Sequence, residues 1–172
     1  MNLLHDVDPG TKNEINVIIE IPKGSHNKYE IDKKTGIIKL DRVMHSAQDY
    51  PFDYGFVPQT LWDDGDALDV VVLTTYPLVP GILVSVRPIG IMHMIDGGEA
   101  DEKIISVASG DPRYTDVKDI QDANQHVLKE IAHFFATYKQ IQKKEVKVGD
   151  FDGRAAAESA FERSRKMYNE SK

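Results

Sequence analysis

The sequence predicts an α+β fold in which a closed or strongly curled β-sheet carries its helices on the outside. Three observations predict it. The first two thirds of the chain break into short apolar or β-branched runs separated by turn residues. The last third changes to helical periodicity. No repeat, low-complexity tract or linker divides the 172 residues, so residues 1–172 read as one domain, long enough to bury a substantial core.

The elements follow in chain order. "INVIIEIP", Ile15 to Pro22, is a short β-branched strand that Pro22 stops. "KYEID" and "IIKLDRV" flank Lys33-Lys34-Thr35-Gly36 and form a hairpin, with Gly36 supplying positive φ. "YPFDYGF", Tyr50 to Phe56, reads as an aromatic loop marked by Pro51 and Gly55. Further strands are expected over 55–59, 69–74, 83–95 and 102–108, and Pro88 and Gly90 should bend or bulge the long one. Val127, Ile131, Phe134, Phe135, Tyr138 and Ile141 recur at helical spacing, and Asp122 with Gln125 reads as the capping pair of that helix. A second helix is expected over 154–168, opened by a turn at "GDFDG".

Composition removes several function classes. With 28 acidic and 21 basic side chains the chain carries a formal charge of −7, which argues against binding a nucleic-acid backbone. A small anion is still admissible, because bound divalent ions reverse the sign of an acidic site. The absence of cysteine excludes disulfides, thiolate metal sites and cysteine nucleophiles. The start "MNLLHDVDPGTKNE" has no basic and apolar leader pattern, and no run is long enough to span a bilayer, so a cytoplasmic protein without membrane partners is expected.

Charge is concentrated where a plain core would not want it. Asp63, Asp64, Asp66 and Asp69 fall within the seven residues "DDGDALD", immediately before the apolar "VVVL". Like charges that close repel unless water screens them or a cation lies between them. A second acidic cluster, "DGGEADEK", holds Asp96, Asp101 and Lys103 and follows the longest strand. Two such loops meeting at one sheet end would offer oxygen ligands to a hard cation such as magnesium. By alternation Glu20 shares a face with Ile18, and Arg42 shares one with Ile38 and Leu40, while Lys28 and Glu30 lie opposite Tyr29 and Ile31. Each alone fits a strand end reaching water; together they read as a polar floor. The tyrosines of "YPFDYGF" pack over a barrel mouth and offer hydroxyls to an anion, whereas Tyr138-Lys139 reads as an ordinary helix end.

Other chemistries fail on spacing. An EF-hand begun at Asp64 would need ligands and glycine where Leu68, Asp69 and Thr75 stand. The six histidines have no short paired spacing for zinc, and no phosphate-cradling glycine loop or nucleophile elbow occurs.

The sequence resembles the soluble family I inorganic pyrophosphatases, most strongly from Val17 to Lys139. "EIP", "KYEID", "DR", "YPFDYGF", "DGDALD", "YPLVPG", "IGIMHMID", "DEK" and "HFFATYK" stand in the family's order at near-family spacing. One departure is Ala67, where the family usually has proline, which removes loop rigidity but no ligand. The resemblance implies an OB-like closed five-stranded β-barrel with additional strands and C-terminal helices outside. It implies hydrolysis of pyrophosphate to two phosphates, several magnesium ions per site with manganese or zinc as substitutes, and a homohexamer. Carried over by position, Asp64, Asp69 and Asp101 would hold activating metal, with Asp69 bridging. Asp96 would hold a further ion with Asp101, and Glu20 another. Lys28, Arg42, Tyr54, Lys103, Tyr138 and Lys139 would grip the phosphates. Asp66 would act on the attacking water, with Asp101 as its rival for that role and Glu30 and Tyr50 in support. Two alternatives are weighed beside this: a non-enzymatic barrel with structural divalent ions, and a phosphohydrolase for nucleoside triphosphates or other phosphoesters.

Overall fold

Ile15, Val17, Ile18, Ile19 and Ile21 are all buried, so the strand that contains them needs partners and cover on both faces. A computed structural model describing residues 1–172 supplies both. The strands are β1 (Gly10–Thr11), β2 (Glu14–Ile21), β3 (Asn27–Ile31), β4 (Ile38–Val43), β5 (Asp53–Phe56), β6 (Asp69–Leu73), β7 (Leu83–Asp96), β8 (Glu99–Ala100), β9 (Lys103–Ala108) and β10 (Val146–Gly153). The helices are α1 (Gln125–Thr137) and α2 (Arg154–Glu170). β2 pairs with β5 on one side and β7 on the other, and the order β2-β5-β6-β9-β7 returns to β2. The result is the expected OB-like ring of five strands, antiparallel except for β6 with β9.

Two devices close the ring. β7 pairs with β2 through Leu83–Val86, then with β9 and β10 further along, and its register with β9 shifts between Pro88 and Gly90. This is the bulge that Pro88 and Gly90 predicted. The second device is Gly55, which faces β2 so closely that a Cβ there would lie 2.0 Å from the Ile18 carbonyl oxygen. Gly55 therefore marks a close strand crossing inside β5 and not a loop, and the strand begins at Asp53.

Alternate residues of β6 enter different cores. Val70 and Val72 join a cluster that includes Ala157, Ala160 and Phe161 of α2. Val71 and Leu73 join one that includes Leu128, Ile131, Phe134 and Phe135 of α1. Tyr50, Phe52 and Tyr54 meet Phe134 and Phe135, which in turn touch Tyr138, in tilted, edge-on and stacked contacts with ring centroids from 4.7 to 6.1 Å apart, which fixes α1 against the barrel.

Three further expectations change. The cap of α1 is Asn124, whose side chain accepts from the His126 and Val127 amides; Ala123 is extended, so Asp122 belongs to a preceding 3₁₀ turn with Asp119. Ile141 lies beyond the helix and is 63% exposed, so it is no part of the buried stripe. "GDFDG" is inside β10 and not a turn: pairing with β7 extends through it, and a register shift between Val148 and Phe151 absorbs Gly149 and Asp150.

Candidate active site

The β5–β6 connection, residues 57–68, is closed at its neck. Val57 N–H donates to the Leu68 carbonyl at 2.9 Å, and Leu68 N–H donates to Thr60 Oγ1 at 2.9 Å. Within the loop, Asp64 Oδ1 accepts from the Asp66 amide at 3.0 Å, and Gly65 takes φ of 83°. Asp69 opens β6 directly after the neck. The parallel register sets Asp69 beside Lys103, and Asp101 stands two residues before Lys103. Asp64, Asp69 and Asp101 consequently each place a carboxylate oxygen within 4.8 Å of the others.

Lys103 is set among them. Its ammonium, 3% exposed, donates to Asp69 Oδ2 and Asp101 Oδ1 at 2.6 Å each. Burial is the largest influence on this ammonium and pulls its pKa down, but Asp69 and Asp101 overcome it and hold the group above the ordinary lysine value. Asp101 is pushed up to about 8 by burial, with repulsion from Asp69 and Asp64 partly offset by Lys103. Burial likewise raises Asp64.

The other walls come from separate elements. Asp96 ends β7, accepts from the Lys139 ammonium, and lies 3.5 Å from the Tyr138 hydroxyl at the end of α1. Glu20 sits where the β2–β5 register shifts; it is buried, accepts from the Ile31 amide at 2.7 Å, and so docks the β3–β4 hairpin on the barrel. Burial, reinforced by Asp69, raises Glu20 to about 8. On the hairpin, Lys28 bridges Glu30 at 3.0 Å and Asp41 at 3.1 Å. Tyr54, buried among these carboxylates, has its phenol held well above its usual range by burial first.

One cleft of about 560 Å³ collects these groups. Glu20, Lys28, Glu30, Tyr54, Asp64, Asp66, Asp69, Asp96, Asp101, Lys103, Tyr138 and Lys139 all line it. Arg42 and Tyr50 do not. Arg42 is opposite Lys28, and Asp41 is the extra residue of a bulge, so the alternation from Leu40 to Arg42 breaks: Leu40 is 54% exposed while Arg42 is half-buried. Arg42 Nη2 is buried without a hydrogen-bond partner. Tyr50 lies in the aromatic cluster beneath the floor, its phenol raised to about 12 by burial. The tyrosine at 138 is more than a helix end, because it reaches the acidic wall.

Sequence reasoning missed Lys33. Its ammonium lies 2.5 Å from Asp66 Oδ1 and donates to the Gly65 carbonyl at 3.1 Å, joining hairpin and acidic loop across the cleft. A turn lysine carries no pattern that separates it from a solvated one.

Comparison with known proteins identifies the relatives of the chain. The family model described as inorganic pyrophosphatase matches residues 17–169. An inorganic pyrophosphatase of Geobacillus stearothermophilus is 48% identical over 158 residues, covering 92% of this chain and 96% of that protein. The crystal structure of inorganic pyrophosphatase from Thermus thermophilus superimposes with a TM-score of 0.94 at 44% identity, covering 98% of this chain and 99% of that one. A truncated Trypanosoma cruzi vacuolar soluble pyrophosphatase, solved in complex with PPi, superimposes with a TM-score of 0.84 at 28% identity, covering 92% of this chain and 70% of that one. With the family model, the sequence relatives and the solved structures in agreement, the chain belongs to the family I inorganic pyrophosphatases.

Proposed function

We propose that this protein hydrolyses inorganic pyrophosphate to two phosphates by direct attack of water, with magnesium as its natural cofactor. The observation that carries the reading is the Asp64, Asp69 and Asp101 trio within 4.8 Å, in one cleft with Lys28, Lys103 and Lys139.

The donor set fits a hard cation. All three ligands are carboxylate oxygens, and two of them, Asp64 and Asp101, are raised by burial as carboxyls lacking sufficient positive charge would be. Asp64, Asp69 and Asp101 would hold magnesium, with Asp69 shared between ions; Asp96 and Glu20 would serve further ions, and manganese or zinc would substitute. When bound, such ions activate water and neutralise charge on a phosphoryl group.

The chain's own residues supply binding and proton handling. Lys28, Arg42, Tyr54, Lys103, Tyr138 and Lys139 bind the substrate's oxygens; the buried, unpartnered Arg42 Nη2 is a donor awaiting an acceptor. Asp66, with Lys33 and the loop amides fixing its position, takes the proton of the attacking water, and Asp101 is the competing base. Glu30 holds Lys28, and Tyr50 supports the floor beneath it. Water forms the new P–O bond as the anhydride P–O bond breaks. No Ser, Thr, Cys or His lines the cleft, so a covalent route would have to use one of the carboxylates that this reading assigns to metal or to the attacking water.

Nine carboxyl side chains line the cleft against five lysines, so its charge stays negative even with Glu20 and Asp101, both raised to about 8, protonated. The metal-free cleft therefore repels pyrophosphate, and the loaded cleft attracts it. Phosphate release from pyrophosphate with magnesium, and its loss on adding excess chelator, tests the reading; no release from folded protein with magnesium, manganese or zinc overturns it. Faster turnover of ATP than of pyrophosphate would replace the substrate. The working form is a homohexamer in the cytoplasm, and a sedimentation mass near six times the chain's 19.3 kDa is expected. Exposed Ile37, Leu40 and Val43 on the hairpin support association.

A further inference from the structure

The loop that carries Asp64 and Asp66 is held from outside the cleft, by side chains that do not line it. Trp62, the sole tryptophan, is buried and donates its indole N–H to Glu102 Oε2 at 2.7 Å. Glu102 directly follows Asp101. One hydrogen bond thus ties the segment bearing Asp64 to the segment bearing Asp101. On the other side Arg163 of α2 lies 4.6 Å from the Trp62 ring centroid and grips Asp63 with both terminal nitrogens, at 2.5 and 3.1 Å. Asp63, the one acidic residue of "DDGDALD" outside the cleft, is therefore an anchor to α2.

Trp62 also governs the loop through its backbone. Its N–H donates to the Asp66 carbonyl at 2.7 Å, and its carbonyl accepts from Gly65 N–H at 3.0 Å. A shift of Trp62 is therefore transmitted to the turn between Asp64 and Asp66. Such restraint is needed here for two reasons. Carboxylates as close as Asp64, Asp69 and Asp101 repel one another and spread unless their supports resist. Position 67, moreover, is alanine, so the loop lacks the stiffening that proline would give.

We infer that Trp62, clamped between Glu102 and Arg163, is a positioning residue that sets the spacing of Asp64 and Asp101 and thereby the affinity of the carboxylate trio for a divalent cation. The inference rests on the metal reading above and adds α2, through Arg163, to the supports of the site.

The test is calorimetric titration of magnesium into the metal-free full chain without pyrophosphate. Trp62→Phe keeps a ring and removes the donor; Glu102→Ala removes the acceptor; Glu102→Gln keeps an acceptor oxygen and removes the charge. Trp62→Phe and Glu102→Ala should each weaken magnesium binding about 10-fold or more, the range for losing an outer partner of a metal ligand, with Glu102→Gln within about threefold of the unaltered protein. Arg163→Met, at a half-exposed helix side chain, should weaken it in the same direction and serves if Trp62→Phe does not fold. Equal losses in Glu102→Gln and Glu102→Ala would assign the effect to charge and overturn the brace. Unchanged affinity in Glu102→Ala and Arg163→Met would do the same. An unaltered protein that binds no magnesium would instead remove the metal reading, and the brace with it.

Discussion

At the scale of single residues, the informative feature is a lysine where a divalent ion is expected to work. Lys103 neutralises only part of the charge of Asp69 and Asp101, and Asp64 contributes a third carboxylate. Of the ligands proposed above, the one with most to lose is Asp69, which both faces Lys103 and stands at the neck of the acidic loop. Asp69→Asn should lower pyrophosphate turnover by about 100-fold or more, beyond the effect of an outer partner, and raise the magnesium concentration needed for half activity. A near-normal magnesium titration would refute the bridging role. Arg42 makes a different case. Its Nη2 is buried and unpaired, so the substrate contact proposed for it would be directional as well as electrostatic. Arg42→Lys keeps the charge but loses the fork, and kcat/KM should fall about 10-fold, in keeping with the loss of one charge-assisted hydrogen bond. Steady-state kinetics showing unaltered KM and kcat would exclude contact with substrate.

At the scale of elements, the barrel depends on one close crossing. Gly55→Ala would force a methyl against the Ile18 carbonyl at 2.0 Å, with Ile19 Cα at 3.0 Å, both backbone atoms that side-chain rotation cannot relieve. A loss of about 3 kcal/mol or more is expected, seen as a lower midpoint in denaturant unfolding. The same glycine shows where the sequence was hard to read. In "YPFDYGF" it resembles a loop residue, because a glycine needed for strand approach and one needed for a turn look alike until the partner strand is known. β10 was missed for a related reason: Gly149, Asp150 and Gly153 are turn-rich, and only pairing with β7 makes the segment extended. By contrast the β3–β4 hairpin, β6 and α2 were legible, since local period and turn chemistry agree with the final packing. In the site, carboxylates grouped in sequence were legible because short loops keep them together. Lys33, Trp62 and Glu102 were not, since their roles arise from contacts between segments distant in the chain.

At the scale of the whole molecule, the site sets a pH dependence on the fold. Glu20 and Asp101 have folded-state values of about 8, against ordinary values of 4.5 and 3.8, and Asp64 is shifted the same way. Between those limits the folded, metal-free chain binds more protons at these groups than the unfolded chain does. Their contribution to stability is therefore full below about 4 and is lost as pH rises through about 8. Lys103 and Lys28, raised above the ordinary lysine value despite the opposing effect of burial, contribute throughout this interval and lose their share only at more alkaline pH. The chelated protein should accordingly melt at progressively lower temperature as pH is raised from about 5 to about 8. Magnesium selects the deprotonated carboxylates, so its stabilising effect should grow over the same interval, and its binding should release protons. Melting curves with chelator and with saturating magnesium check both trends. A metal-dependent increment that stays constant with pH would show that the raised carboxyls are not the groups that bind the ion.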